Sequence, residues 1–207
     1  MLKAVFVADD KLYVGGSFDK VNGLDRHNVA QFDISQQPAA PQPTAWAYPN
    51  VDLGEVRCFA YSAETNTVYL GGVTWENYDA AGRFIQPVDA TTGALNDWNP
   101  VTGGNVSALV VDTTGASVFA GANPNAAGIT RKYVAAINTL TGQPLAWDAK
   151  FAQGSEVREL VVGGGSTLYV GGKFTNVDGQ TRRHLAAFDV SNAQLLPWNP
   201  TQGVTWA

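Results

Sequence analysis

The pentapeptide Leu12-Tyr13-Val14-Gly15-Gly16 decides the fold, because similar pentapeptides recur along the chain at almost constant spacing. In each copy, apolar and aromatic residues lead into Gly-Gly or Gly-Ala. The first glycines of the four copies are 56, 50 and 50 residues apart: Gly15, Gly71, Gly121 and Gly171. Internal repeats of this length indicate a fold built from similar units placed side by side.

A tryptophan is the second marker of the repeat. Successive copies are 52, 49 and 51 residues apart: Trp46, Trp98, Trp147 and Trp198. Together the two markers divide the chain into units near 1–50, 51–100, 101–150 and 151–200. We expect each tryptophan to lie as a wedge between neighbouring sheets, where its indole N–H needs an acceptor.

Each unit contains four predicted β-strands, rich in β-branched and aromatic residues and bounded by Gly, Asn, Asp and Pro. Asp89 and Asn138 each precede a glycine by four residues, which predicts a tight turn between the third and fourth strands. The glycine run at 163–165 predicts a hairpin turn. The predicted strands of the last two units are 106–112, 117–122, 133–138 and 145–148, then 157–162, 167–171, 184–190 and 195–198.

A period near 50 with four strands per unit predicts an all-β fold, a β-propeller of four-stranded antiparallel blades. We expect one propeller domain or segment over 1–207, with about four blades, in which 201–207 begin a further strand. Such a strand favours part of a longer propeller or a multichain ring over a closed four-blade monomer. A β-sandwich or barrel of duplicated hairpins is the alternative, but it does not explain two markers with one period.

Composition excludes several classes of protein. The 207 residues include 13 Lys+Arg and 18 Asp+Glu, a net charge of −5, and 45% are hydrophobic. This apolar content argues against a disordered chain, and the acidic balance lacks the basic surface of a nucleic-acid binder. No apolar run approaches the roughly 20 residues of a membrane helix, so we expect no membrane insertion. The first eight residues are too short for a signal-peptide core and predict a strand instead.

A family resemblance rests on the string Leu168-Tyr-Val-Gly-Gly-Lys-Phe-Thr-Asn-Val-Asp-Gly-Gln-Thr-Arg-Arg-His-Leu-Ala-Ala-Phe-Asp189, which resembles the bacterial delta-60 repeat. The first unit is similar at 12–18 and 30–33, whereas the second and third depart at 73–78 and 123–125. The resemblance implies a β-propeller and no catalytic motif. It also implies an extracellular place, on a bacterial surface or in the tail of a phage virion, because such repeats occur in those proteins.

Candidate catalytic and metal-binding groups are sparse, and we expect neither a cofactor nor a metal. His27 and His184 lie in related stretches of non-adjacent units, whereas a metal site needs several converging ligands. Cys58 lies on a predicted first strand whose alternation buries it, and a buried thiol behaves as a small apolar residue. No Gly-x-Ser-x-Gly is present. Carboxylates that converge from different blades, as glycoside hydrolysis requires, stay open at this point.

An arginine before the third strand recurs in every unit: Arg26, Arg83, Arg131 and Arg182. A ring of cations for an anionic ligand is one interpretation. The other, which repetition favours, is a hydrogen bond from each guanidinium to its own or the neighbouring blade.

The long loops between second and third strands differ most between units, and variable loops on a rigid scaffold usually carry recognition. Trp75 and Tyr78 are the preferred contact residues, since an exposed aromatic stacks on a sugar ring or anchors a protein. Packing of Trp75 onto its own blade is the alternative. Asn123 and Asn125 extend the predicted surface in the third unit.

Three hypotheses of function follow. The first is a non-enzymatic binding or structural module that recognises a glycan or a protein partner through its long loops. The second is a polysaccharide hydrolase or lyase that uses the propeller face. The third is an assembly element whose open edge pairs with another chain. A sequence made of repeats without a catalytic constellation favours the first.

Overall fold

The computed structural model describes residues 1–36, 40–48, 54–73, 85–96, 98, 105–123 and 133–200. Within these ranges every regular element is a β-strand. The strands are β1 (Leu2–Ala8), β2 (Lys11–Gly16), β3 (Lys20–Val21), β4 (Leu24–Asp25), β5 (Val29–Asp33), β6 (Glu55–Ser62), β7 (Thr67–Val73), β8 (Ile85–Asp89), β9 (Asn105–Val111), β10 (Ser117–Asn123), β11 (Val134–Asn138), β12 (Glu156–Gly163), β13 (Thr167–Lys173), β14 (Asn176–Val177), β15 (Gln180–Thr181) and β16 (Leu185–Asp189).

Four antiparallel sheets of three strands follow one another along the chain. They are sheet 1 (β1-β2-β5), sheet 2 (β6-β7-β8), sheet 3 (β9-β10-β11) and sheet 4 (β12-β13-β16). The middle strand of each carries the repeated pentapeptide. In the last two units, the observed bounds lie within one or two residues of the predicted first three strands.

The predicted fourth strand of each unit is wrong. The segment after the third strand contributes one isolated bridge per sheet, in which Pro43, Leu95, Pro144 and Leu195 are the bridging residues. Pairing is equally short where the bridging residue is proline, in sheets 1 and 3, and where it is leucine, in sheets 2 and 4. In sheets 1, 3 and 4 the segment then bends, and in all four sheets the tryptophan lies against an aromatic ring of the sheet. The units are therefore three-stranded sheets with a bridged fourth segment.

The turns that the sequence predicts are confirmed. Gly93 and Gly142 adopt positive φ angles of 77° and 70°, and their amides donate to the carbonyls of Asp89 and Asn138. Gly164 and Gly165 form the hairpin turn with φ angles of 60° and 83°. The long loops of sheets 1 and 4 also fold into two-residue hairpins, β3-β4 and β14-β15, which close on left-handed Asn-Gly and Asp-Gly pairs.

Packing between the sheets runs in chain order. Strand β1 packs beside β6, β6 beside β9, and β9 beside β12, so the first strands of successive sheets are neighbours. Three hydrophobic clusters lie at the three contacts between sheets 1 and 2, 2 and 3, and 3 and 4. Each sheet thus buries the apolar face of the next, as units stacked side by side require.

Tryptophans join the sheets through one repeated hydrogen bond. The indole N–H of Trp46 donates to the Asp89 carbonyl at 3.1 Å, that of Trp98 to Asn138 at 2.8 Å, and that of Trp147 to Asp189 at 3.1 Å. In each case the acceptor ends the third strand of the following sheet. Each tryptophan also meets an aromatic ring of its own sheet edge-on. The predicted wedge and its acceptor are confirmed at these three positions.

Candidate functional site

A cleft of about 640 Å³ opens between sheets 3 and 4. The turns that join first to second strands form two of its walls, at 112–114 in sheet 3 and 165–166 in sheet 4, and residues 190–192 after β16 form a third. The indole of Trp147 and the side chain of Leu145 lie at its apolar side. Its polar lining consists of one carboxylate, one carboxamide and several hydroxyls: Asp112, Thr113, Thr114, Ser117, Ser166, Ser191 and Asn192.

An equivalent cleft between sheets 1 and 2 measures about 320 Å³ and is crossed by long polar side chains. The Gln31 carboxamide donates to the Tyr13 hydroxyl at 3.0 Å and to the Ala90 carbonyl at 3.2 Å. The Tyr61 hydroxyl donates to the Asp9 carboxylate at 3.2 Å, and Asn66 donates to Asp89 and Thr91. Burial raises the pKa of both phenols, which stay neutral donors in this cleft.

Shorter side chains explain why the cleft between sheets 3 and 4 is larger. The strand registers align Tyr13 with Phe119 and Gln31 with Ala136. By the same registers Tyr61 aligns with Val162, and Asn66 with Ser166. Each replacement removes an atom group that fills the smaller cleft, so the space between sheets 3 and 4 is open to a ligand.

The turn residues of the larger cleft hold its walls in place. The Asp112 carboxylate accepts bonds from the Thr114 amide and hydroxyl at 3.1 and 2.8 Å, and the Thr113 hydroxyl crosses the cleft to the Gly165 carbonyl at 2.9 Å. The Ser191 hydroxyl and amide donate to Asp189 and hold the pKa of that carboxyl below its ordinary value. The walls are therefore preorganised by local hydrogen bonds.

The preferred contact residues of the sequence analysis fall mostly outside the described residues. This is so for Trp75, Tyr78 and Asn125, and Asn123 is the last residue of β10. Their predicted binding role stays a prediction. Both clefts are formed by the turns that join first to second strands, at the opposite end of the sheets from the long loops of sheets 1 and 4. The larger cleft was not predicted, because strand register must be known before Gln31 and Ala136 can be compared across units.

The two described repeat arginines bond to their own sheets. Arg26 donates to the Asp25 and Thr44 carbonyls at 2.7 and 2.5 Å. Arg182 donates to the Thr181 and Leu196 carbonyls at 3.0 and 3.2 Å. Each guanidinium thus joins the small hairpin of its unit to the bridged fourth segment. Arg83 and Arg131 lie outside the described residues, as does the predicted further strand at 201–207.

The remaining titratable groups have local roles. The His184 ring nitrogen Nδ1 lies 3.1 Å from the Gly172 carbonyl, and its backbone has a left-handed φ of 67°. The Cys58 sulfur lies 3.9 Å from the Val106 carbonyl between sheets 2 and 3, where burial raises the pKa of the thiol. In the part of the chain that the structure describes, no three His, Cys, Asp or Glu residues are grouped as a metal site needs. The same part contains no helix with the length and hydrophobicity of a membrane crossing.

Comparisons with known proteins agree with the fold. A family model described as a β-propeller domain of unknown function, DUF5122, matches residues 8–33, which run from the end of β1 to the end of β5. No curated protein matches the chain. Among solved structures, the chain is similar to hydrazine synthase of Kuenenia stuttgartiensis, with 13% identity and a TM-score of 0.55. The likeness covers 90% of this chain but 45% of that one, so the chain spans less than half of that protein's length. At this identity the likeness shows the fold alone, which is an all-β fold of the β-propeller type.

Proposed function

We propose that this chain is a non-enzymatic binding module that recognises a glycan. Its scaffold would be four blades of a delta-60-type propeller. The observation that carries the proposal is the 640 Å³ cleft between sheets 3 and 4. Binding pockets are commonly concave, of this size, and lined by apolar groups with a few placed polar ones. The cleft offers hydroxyl, carboxamide and carboxylate groups beside an indole, a combination that suits a ligand rich in hydroxyls.

The contrast between the two clefts supports a binding role. In the smaller cleft the protein's own tyrosine, glutamine and asparagine side chains occupy the space. Gln31 bonds to Tyr13, and Tyr61 and Asn66 bond to aspartates. In the larger cleft these long polar side chains are absent, while the turns that form its walls are still held by hydrogen bonds. The fold therefore tolerates either lining, and the open one presents unfilled volume at the surface. We propose the same extracellular setting that the repeat resemblance implies, a bacterial surface or a phage tail.

The cleft is tested by filling it with the residues that fill its counterpart. The variant Val162→Tyr/Ser166→Asn carries the side chains of Tyr61 and Asn66, which sheet 2 already accommodates. The wild-type chain is screened against bacterial surface polysaccharides and oligosaccharides, and a retained ligand is titrated by calorimetry. We expect the filled variant to bind at least about tenfold more weakly, a difference of about 1.4 kcal/mol.

Two controls separate the cleft from the loops. Asn66→Ser alters the smaller cleft and is expected to leave affinity unchanged, whereas Trp75→Ala removes the preferred loop contact. Loss of binding only in Trp75→Ala would place recognition on the long loops and overturn the cleft as the site. Absence of binding to any glycan, or recovery of a cleaved ligand by mass spectrometry, would overturn the proposed function.

A further inference from the structure

Sheet 1 presents an apolar face, and sheet 4 presents a face that is apolar except for the exposed Glu159; neither has a neighbouring sheet among the described residues. We define the leading face by Leu2, Val5 and Val7 of β1, and the trailing face by Val161, Gly171 and Trp198 of sheet 4. The exposed fractions are 55% for Leu2, 63% for Val5 and 57% for Val161. Large apolar patches of this kind on a soluble protein commonly mark an interaction surface.

The leading face has buried equivalents in every other sheet. By strand register, the counterparts of Leu2 and Val5 in sheets 2, 3 and 4 pack against the preceding sheet and are buried. Those of Leu2 are Val56, Val106 and Val157, and those of Val5 are Phe59, Leu109 and Leu160. The leading face is therefore half of an interface that the chain already forms three times.

The trailing face shows the other half of the same interface. In sheets 1 to 3 the first repeat glycine lies directly under a side chain of the following sheet. A Cβ at Gly15 would come within 2.6 Å of Val56 Cγ1, one at Gly71 within 2.9 Å of Val106 Cγ1, and one at Gly121 within 2.6 Å of Val157 Cγ1. At Gly171 the nearest atoms would be at 3.6 Å or more, all from sheet 4 itself. Gly171 thus has the same position as the three covered glycines, but no side chain of a following sheet lies over it among the described residues.

The tryptophan bond gives the same result. Trp46, Trp98 and Trp147 are buried and each donates to the carbonyl that ends the third strand of the next sheet. Trp198 meets Tyr169 in the same edge-on geometry, at 5.2 Å between ring centroids, but its exposed fraction is 43%. The corresponding acceptor in sheet 1 is the carbonyl of Asp33, at the end of β5.

We propose that the trailing face of one chain docks on the leading face of a second copy of this chain. Leu2 of the second copy would cover Gly171, and Val5 would pack against sheet 4. The Trp198 indole would donate to the Asp33 carbonyl of the second copy. Because the contact is head-to-tail, two copies of residues 1–200 related by a two-fold axis would make it twice and bury all four faces.

A second copy is favoured because each face is complementary to the other by construction. The chain carries three working examples of the contact, each with a valine over the repeat glycine and a tryptophan that donates to the next sheet. The trailing face differs at one position, where Glu159 stands in place of Ala4, Cys58 and Ala108. The inference does not depend on the proposed glycan cleft, which lies between sheets 3 and 4 of a single chain.

The test is the mass of the chain in solution, measured by light scattering after size exclusion across a concentration series. We expect a species of twice the 21.9 kDa of one chain. Gly171→Val puts a side chain where the second copy must approach, and Val5→Asp puts a charge on the leading face. Each variant is expected to be monomeric with unchanged circular dichroism. Leu140→Asp is the matched control, because Leu140 is exposed away from both faces, and it is expected to remain dimeric.

Mixing the two variants tests the head-to-tail arrangement. Gly171→Val keeps an intact leading face, and Val5→Asp keeps an intact trailing face, so an equimolar mixture regains one good interface and forms a heterodimer. A wild-type chain that stays monomeric at all concentrations would overturn the proposal, and it would mean that something other than a second copy covers these faces. A dimer that survives one of the two variants would also overturn it, because that result indicates a contact of like faces.

Discussion

Replacement of Gly121 by alanine tests whether glycine is required where one sheet covers another. A Cβ at this position would lie 2.6 Å from Val157 Cγ1 and 3.3 Å from Val157 Cβ, whereas Ala108 Cβ would be at an ordinary 3.5 Å. Val157 is fully buried and β-branched, so its side chain has little rotamer freedom to move aside. The substitution therefore forces sheets 3 and 4 apart locally.

The expected loss in the free energy of unfolding follows from the contact between the new Cβ and Val157. Overpacking in a well-packed core costs about 1–3 kcal/mol, and the lower chain entropy of alanine in the unfolded state offsets roughly 0.4–1 kcal/mol of this. We expect a net loss near 1–2 kcal/mol in the free energy of unfolding. Val157→Ala alone removes two buried methyl groups and is expected to cost about 2 kcal/mol. In the double variant the new methyl occupies the space that Val157 vacates, so the two losses are not additive.

The assay is urea unfolding of the wild type, both single variants and the double variant, followed by circular dichroism and tryptophan fluorescence. Coincident transitions and a constant m value justify comparing free energies of unfolding across the set. We expect the double variant to be more stable than the sum of the singles by about 1 kcal/mol. Gly163→Ala is the control, since its Cβ would meet only Tyr169 at 3.5 Å. Additivity within about 0.3 kcal/mol would refute the contact as the reason for glycine.

Two further predictions concern the hydrogen bonds of the repeat. The Ser191 hydroxyl lowers the pKa of Asp189, and the Lys11 ammonium lowers the pKa of Asp33 to about 2. The stability that these carboxylates contribute is therefore present above the unfolded pKa near 4. It is lost as the pH falls through the folded pKa. The melting temperature should therefore drop between about pH 4 and 2. The drop should be shallower in Asp189→Asn, which has the residue that Asn138 provides in sheet 3. Equal dependence of the melting temperature on pH in both proteins would contradict the stabilising role of the Asp189 carboxylate. Trp147→Phe removes the indole donor from the Asp189 carbonyl, which keeps the Ala193 amide as a donor. The loss of this bond should lower the free energy of unfolding by about 0.5–1.5 kcal/mol in urea titrations, and an unchanged midpoint would show that the bond is not needed.

Much of the fold was predictable because the repeated residues are those that packing between neighbouring sheets requires. Gly15, Gly71 and Gly121 recur since a following sheet leaves no room for a Cβ, and the tryptophans recur since each joins two sheets through one carbonyl. The fourth strand was not predictable from local pattern. Residues 145–148 and 195–198 are as apolar as a strand, but each segment pairs through one bridge before its tryptophan. In sheet 3 the indole of that tryptophan bonds to sheet 4, a tertiary contact that local pattern does not reveal.

The candidate site was less predictable because it depends on side chains that are absent. Variable loops attract attention in a sequence, whereas the two clefts differ in buried positions: Tyr13 and Gln31 line the smaller one, and their counterparts Phe119 and Ala136 do not line the larger one. Strand register must be known before such pairs can be compared across units. In a chain of repeats, inward-facing positions should therefore be aligned unit by unit. A smaller side chain at the contact between two sheets can mark a binding site as clearly as polar groups in a loop.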